Sequence, residues 1–432
     1  MFILIMSGVC RIKSDGFLLT RGCMYREITQ CRISKSPNLI PVLSLGEQAL
    51  TGVFPKSPID KVTKGPLDLL WCPDSGLLQM KQSYDLSEMY GDNYGYRSGL
   101  NSSMVRHLTQ KVHFFEKMMT LSEKEIVIDI GSNDATLLKA YAAKCRKVGI
   151  DPTGKKFKEF YTEDIILIPD FFSVKAFASA FPNEKAKIIT SIAMFYDLEN
   201  PKRFVQDIEL VLADDGVWHF EQSYMPSMLR TNSYDTICHE HLEFYSFRVV
   251  KNLLESCGLR VIDVQMNSIN GGSFAVTASK KSAKYRSNMP IINWMLGQED
   301  SMGLDTPKPY RDFEGRVFKH RKNLTELVQA LVDDGKKIIG YGASTKGNVL
   351  LQFCGLTKEQ IPFIAEVNEE KFGCFTPGTN IPIISEKEAR AMNPDYFLVL
   401  PWHFKSNILD REKEFLANGG KFIFPLPEIE IV

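Results

Sequence analysis

The chain has 432 residues, well beyond the ~250 to 300 at which a single hydrophobic core usually stops growing, so two or three domains are expected. Its composition is 44% hydrophobic and 24% charged, and 52 Lys+Arg balance 52 Asp+Glu, which is ordinary for a globular protein and argues against nucleic acid or an anionic membrane as a partner. Nine scattered cysteines do not form the dense framework of a small disulfide-stapled domain, so reduced thiols and a cytoplasmic location are expected.

In chain order, residues 1–6 are apolar but too short to span a bilayer, and no basic segment precedes them as a secretory signal requires. Residues 1–23 fit no recognisable domain and read as an extension, with Met24 an equally plausible start. Residues 24–105 are rich in Pro, Gly and Tyr, with short strand-like pieces such as Leu67-Asp68-Leu69-Leu70-Trp71, and predict a small, loop-heavy module. Residues 106–281 alternate apolar strand-like runs with helix-length segments, the pattern of a mostly parallel sheet covered on both faces. A polar, helix-prone connector follows over 282–334, and residues 335–432 repeat the α/β pattern as a second, smaller Rossmann-type unit. No short repeat or low-complexity tract interrupts the chain.

The strand Ile126-Val127-Ile128-Asp129-Ile130 ends in Gly131, whose missing side chain lets a ligand lie against the backbone. Ser132-Asn133-Asp134 then leads into an apolar helix, so backbone N–H groups would face that ligand. Asp151 closes the next strand, where a carboxylate can accept both ribose hydroxyls of an adenosine, and Asp170 after the following strand is a candidate for the adenine edge. Asp129 before the turn strengthens the reading.

The densest titratable cluster is Cys238-His239-Glu240-His241, with Tyr245 close behind. A carboxylate between two imidazoles can orient one of them and raise its basicity, which suits a general base. A metal pair and a structural polar turn are the alternatives, although no third ligand of recognisable spacing accompanies His239 and His241. In the last segment Gly340-Tyr341-Gly342 followed by Glu366 also suits NAD, as in an NAD(P)-dependent oxidoreductase, but Thr345 stands where the third glycine of that fingerprint belongs. Lys346 suits either a substrate phosphate or a solvated helix start.

Asp92-Asn93-Tyr94-Gly95-Tyr96-Arg97-Ser98-Gly99, the 129–134 turn, His239-Glu240-His241, Asn270-Gly271-Gly272-Ser273 and Gly340-Tyr341-Gly342-Ala343-Ser344-Thr345-Lys346-Gly347 occur in this order. Over residues 31–432 the chain thereby resembles the bacterial three-domain sugar C-methyltransferases that act on nucleotide-linked 4-keto-6-deoxy sugars. The resemblance implies a zinc-knuckle amino-terminal domain, a central class I S-adenosylmethionine-dependent domain, and a carboxy-terminal Rossmann-like domain that helps enclose the sugar nucleotide. It further implies His241 as the base, with Glu240 and His239 beside it, and Tyr94 or Tyr96 as a substrate contact from the first domain. Tyr245, Asn270, Gly271 and Lys346 complete the expected substrate side.

Two departures from that family pattern stand out. Its two Cys-x-x-Cys pairs read Cys31-Arg32-Ile33-Ser34 and Cys72-Pro73-Asp74-Ser75 here, so Cys31 and Cys72 are remnants and no metal is expected, serine being a poor zinc ligand. The tyrosine expected before His-Glu-His is Cys238, a weak hydrogen-bond donor, which bears on substrate identity.

Overall fold

The computed structural model describes residues 25–85, 89 and 97–432, together with the backbone of three strands, β1 (Leu4–Met6), β2 (Val9–Ser14) and β3 (Phe17–Thr20). Those strands pair antiparallel in sequence and continue through β4 (Tyr25–Ile28) to β8 (Gln82–Tyr84). The segment read from sequence as an extension thus supplies strands, and the rest of 1–24 lies outside the described residues.

The first module is also richer in strands than its prolines and glycines suggested. β5 (Ile40–Ala49), β6 (Lys64–Trp71), β7 (Leu78–Met80) and β14 (Glu243–Phe244) form a sheet in the order β14-β7-β6-β5. Pro41 lies on the edge strand, and Pro66 faces a register shift of β5 between Ser44 and Glu47. Both are places where a strand tolerates a residue without an N–H. β14 comes from the central segment, so the first sheet is completed by the chain that follows His241.

The central sheet contains β9 (Ile126–Ile130), β10 (Arg146–Ile150), β11 (Ile165–Ile168), β12 (Ala186–Ile192), β13 (Leu212–Ser223), β15 (Leu259–Asn267) and β16 (Ser273–Lys280). Their order is β11-β10-β9-β12-β13-β16-β15, parallel as far as β13 and antiparallel beyond it. All five residues of β9 are buried, as expected of a parallel strand covered on both faces. The order reverses between β9 and β12, and the crevice at such a reversal is where open α/β sheets bind ligands.

The connector folds as helices Met289–Met302 and Lys308–Asp333. The second buries Tyr310, Phe313, Val317, His320, Leu324 and Val328 along one face at helical spacing. Beyond it β17 (Ile338–Tyr341), β18 (Ile364–Glu366), β19 (Ile383–Ser385), β20 (Tyr396–Val399), β21 (Lys421–Phe424) and β22 (Glu430–Ile431) form a sheet in the order β19-β18-β17-β20-β21-β22. Its reversal falls between β17 and β20.

One core cluster runs from Leu43 and Trp71 of the first sheet through Tyr234 and Leu242 to Ile339 and Phe397 of the last, with the Trp71 and Tyr310 rings stacked 4.9 Å apart. The modules therefore share apolar packing. Among the described residues, no helix is long and apolar enough to cross a membrane.

Candidate active site

A single cavity of about 1030 Å³ is lined by the carboxyl ends of both α/β sheets, by the 238–241 loop, and by Gly52 and Phe54 of the first module. It is large enough for two ligands side by side, since small-molecule sites run from ~300 to 1,000 Å³.

At the central sheet Gly131 adopts φ +72°, and a Cβ there would lie 3.3 Å from the Met194 side chain. Asp129, Gly131, Ser132, Asn133 and Asp151 line the cavity. Asp151 accepts from the Asn133 N–H at 2.7 Å on one oxygen and from the Thr153 N–H and hydroxyl at 2.7 and 2.6 Å on the other. A carboxylate has about four acceptor positions, so one remains for a ribose hydroxyl. Burial pushes the Asp129 carboxyl up to about 7 against a 2.6 Å hydrogen bond donated by Thr190, with Asp151 adding to the rise. These residues fit an adenosine-bearing donor.

Two of the residues expected to touch the donor are spent on the chain that covers it. Asn133 Oδ1 accepts from the Ser98 N–H and Asp134 Oδ2 from the Gly99 N–H, both at 3.0 Å, and Arg97 lies 3.6 Å from Asp134. Asp134 is buried behind the wall and does not line the cavity. Asp170 is exposed outside the lining, its carboxylate accepting from the Phe171 N–H at 2.7 Å, whereas Phe171 and Phe172 do line the cavity.

In the 238–241 loop the backbone alternation separates the two histidines. His241 lines the cavity, its ring edge-on to Tyr196 at 4.4 Å, and its Nδ1 lies 2.7 Å from the Thr236 carbonyl. An acceptor there assigns the ring proton to Nδ1 and leaves Nε2 a lone pair. Burial, with the Lys346 charge adding to it, pushes this imidazole down to about 4 against the upward pull of Thr236, so it is neutral at pH 7. Its basicity is thus lowered and its ring oriented by Thr236, where the sequence pointed to Glu240 raising it. Glu240 lines the same cavity, and burial lifts its carboxyl to about 7 against the Cys238 thiol that it accepts at 3.7 Å. One ligand atom each of Cys238, Glu240 and His241 lies within 4.8 Å of the others.

His239 takes the other direction. It is 1% exposed, lies 3.2 Å from the Gln48 carbonyl and packs edge-on against Tyr84, so it docks the loop on the first module rather than reaching the cavity. Tyr245 is likewise internal, stacked 5.2 Å from Phe195. Gly271 packs under Trp402, with a would-be Cβ 3.3 Å from its ring, and the backbone of Asn270 shares its short 3-10 helix. Tyr94 and Tyr96 lie outside the described residues.

From the last sheet, Gly342, Ser344, Lys346 and Glu366 line the opposite wall. Burial lowers the Lys346 ammonium, partly countered by Asp235 and Cys238. Glu366 accepts from the Ala343, Val367 and Asn368 N–H groups at 2.7, 2.7 and 2.9 Å. Sequence reading missed Glu221, which lines the cavity at the end of β13. His107 lies 2.7 Å from one oxygen, and Lys111 and Asn267 lie 2.6 and 2.7 Å from the other. Burial would raise the Glu221 carboxyl, but His107 and Lys111 outweigh it and hold the group at about 2. Tyr196 and Asp197, also in the lining, escaped notice because nothing in an isolated Phe-Tyr-Asp step marks them.

The two knuckle pairs converge. Cys31 Sγ lies 3.2 Å from Ser75 Oγ, and Ser34 Oγ lies 3.6 Å from Cys72 Sγ. Structural zinc takes four cysteine or histidine ligands, so two thiols already paired with two hydroxyls do not fit the metal.

Comparison with known proteins matches three family models along the chain. Residues 31–90 match a family model described as a candidate zinc binding domain, residues 100–264 a methyltransferase domain, and residues 268–427 the C-methyltransferase C-terminal domain. The segment whose glycines also suited NAD thus falls in the last of these. The chain is 32% identical to the C-methyltransferase NovU of Streptomyces niveus over 411 residues, 94% of this chain and 97% of that protein. Solved structures with partial likeness include the magnesium protoporphyrin IX methyltransferase of Synechocystis PCC 6803 with bound SAH, at TM-score 0.32 and 13% identity over 44% of this chain and 91% of that one. The N-methyltransferase NodS of Bradyrhizobium japonicum WM9 matches at TM-score 0.31 and 12% identity over 42% and 98%.

Proposed function

From the premise that this S-adenosylmethionine-dependent enzyme belongs to the three-domain C-methyltransferase family, we propose that it methylates the carbon beside the ketone of a nucleotide-linked keto-deoxy sugar. The observation that carries the reading is the neutral His241, held through Nδ1 by Thr236 in the cavity that Gly131 and Asp151 also line.

S-adenosylmethionine, when bound along Asp129, Gly131, Ser132 and Asp151, supplies a methyl group on a positively charged sulfur. The protein supplies the rest. A C–H bond beside a ketone becomes acidic enough for an imidazole when the developing enolate oxygen meets donors. His241 Nε2 takes that proton. Glu240, lifted to about 7, still holds a proton on a large share of molecules at neutral pH and offers its O–H to the enolate oxygen. Lys346, in the same lining, adds positive potential to that side. The shared wall keeps the carbon facing the donor while water is excluded, which protects the enolate.

Incubating the enzyme with S-adenosylmethionine and a nucleoside-diphosphate 4-keto-6-deoxyhexose, then locating the new methyl group by NMR, tests the reading. A methyl carbon bonded to the ring carbon next to the ketone is expected. A methyl on oxygen or nitrogen, or no transfer to keto sugars of this class, contradicts it.

A further inference from the structure

Arg32 stands inside the first knuckle and is 2% exposed. Its guanidinium donates to the Met80 carbonyl and, at 2.8 Å, to Ser83 Oγ, while Nε faces Glu243 Oε1 at 3.6 Å. Its backbone N–H donates to Gln79 at 3.0 Å. Glu243 is also 2% exposed and stands two residues after His241. A buried arginine and a buried glutamate, one from each of two modules, thus meet where the catalytic loop ends.

The strands on either side are paired too. Glu243 registers with Gln79 in β14 and β7, the Met80 N–H donates to the Leu242 carbonyl at 2.8 Å, and the Leu242 N–H donates to Tyr196 at 2.8 Å. Arg32 therefore ties together the β7 carbonyl, the Glu243 carboxylate and the knuckle. The knuckle itself is held without thiolate–metal bonds. Its cross-links are Cys31 to Ser75 and Ser34 to Cys72, extended by Ser36 and by Asn38 at 3.2 Å on Asp74. The turns are closed by Lys35 N–H to the Cys31 carbonyl at 3.0 Å and Gly76 N–H to the Cys72 carbonyl at 2.8 Å.

We propose that the cysteine–serine knuckle is a metal-independent clasp whose function is to hold Arg32 against Glu243, making Arg32 a positioning residue for the His241 loop. The inference rests on the reading of His241 as the base. A buried arginine hydrogen-bonded to backbone and facing a carboxyl group 3.6 Å away links the loop to two strands at once, and an error of about 1 Å in a reacting group can cost ~100-fold in rate. Removing Glu243 strands the Arg32 charge in the interior, whereas removing Arg32 lets the Glu243 carboxyl, which burial already pushes up, take a proton.

The test uses the full-length enzyme with S-adenosylmethionine and a nucleoside-diphosphate 4-keto-6-deoxyhexose. Arg32→Met is expected to lower kcat by about 10- to 100-fold, with acceptor KM and calorimetric donor affinity unchanged and the His241 ring NMR resonance displaced. Arg32→Met/Glu243→Gln is expected to stay as slow as Arg32→Met, because the positioning guanidinium is absent from both and the buried Glu243 carboxyl is already pushed up toward its neutral form. Elemental analysis should find no zinc, and chelator treatment should leave kcat as it was. Wild-type kcat and an unmoved His241 resonance in Arg32→Met would overturn the proposal. So would a loss of donor binding in Arg32→Met, or one zinc per chain whose removal stops turnover. If Arg32→Met does not fold, Glu243→Gln takes its place against the same double variant. The His241→Ala variant, assayed alongside, separates the two claims. Its wild-type turnover with a displaced resonance in Arg32→Met sinks only the base assignment, and its inactivity beside a normal Arg32→Met sinks only the clasp.

Discussion

Asp151 and Glu366 hold the same place in two Rossmann-like units. Each ends the strand beside a glycine turn, accepts hydrogen bonds from that turn's backbone, and borders the same cavity. Their glycines differ in what surrounds them. A Cβ on Gly131 would meet the flexible Met194 side chain at 3.3 Å, whereas one on Gly342 would run into the Pro401 ring at 2.7 Å. Gly342 is therefore accounted for by packing against the chain that follows β20. Glu366, like Asp151, accepts three hydrogen bonds, and Lys371 closes its loop on the Ala343 carbonyl at 2.7 Å. A strand, a glycine and a following carboxylate thus announce a tight turn, and only the surroundings decide whether a ligand uses it.

The largest separation between the two turns should come from valine at each glycine. Gly131→Val places a β-branched residue at φ +72° in the donor wall, a conformation such residues avoid, and is expected to abolish calorimetric binding of S-adenosylmethionine. Gly342→Val should lower Tm through the Pro401 clash and leave donor affinity intact in the folded fraction. Equal loss of donor binding in both would erase the distinction.

A milder pair is Asp151→Asn against Glu366→Gln. Removing a charged acceptor from ribose should weaken the donor by about 10- to 100-fold, while Glu366→Gln should leave donor affinity alone. The reverse pattern would move the donor to the last sheet.

The smallest effect concerns pH. Asp129, lifted by burial to about 7 in the folded chain, binds a proton there that an unfolded aspartate releases near 4. Its contribution to stability is present at low pH and is lost as pH rises from about 4 through 7, worth on the order of a few kcal/mol. His241 and His239, both pushed down to about 4, act with the opposite sign, because their unfolded forms take up protons below about 6.5. The wild-type curve therefore mixes the two, and the comparison with Asp129→Asn isolates one. The Tm advantage of wild type over that variant should shrink steadily from pH 4.5 to 7.5. A constant difference would mean that Asp129 is ionised throughout.

Much of this arrangement is legible in the amino-acid sequence. The strand periods of both α/β units, the Gly131 turn and the place of Asp151 follow from local rules, and Gly131 and Asp151 line the cavity. The direction of side chains in the 238–241 loop does not follow from such rules. That stretch has no regular period, and its orientation is set by Gln48, Tyr84 and Thr236, the first two of them far away in the chain. Glu221 was hidden for a similar reason. His107 and Lys111 stand one helical turn apart and meet Glu221 only because the helix Ser102–Met118 crosses β13. The strands of the first module were masked by prolines that sit at an edge and beside a bulge.

The claim on which the rest depends is that His241 removes the proton beside the ketone. Without S-adenosylmethionine, the enzyme incubated with the keto sugar in deuterated water should exchange that C–H for C–D, a reaction followed by NMR and independent of methyl transfer. His241→Ala should slow this exchange by about 100- to 10,000-fold while donor affinity measured by calorimetry stays at the wild-type value. Exchange at the wild-type rate in that variant would contradict the account.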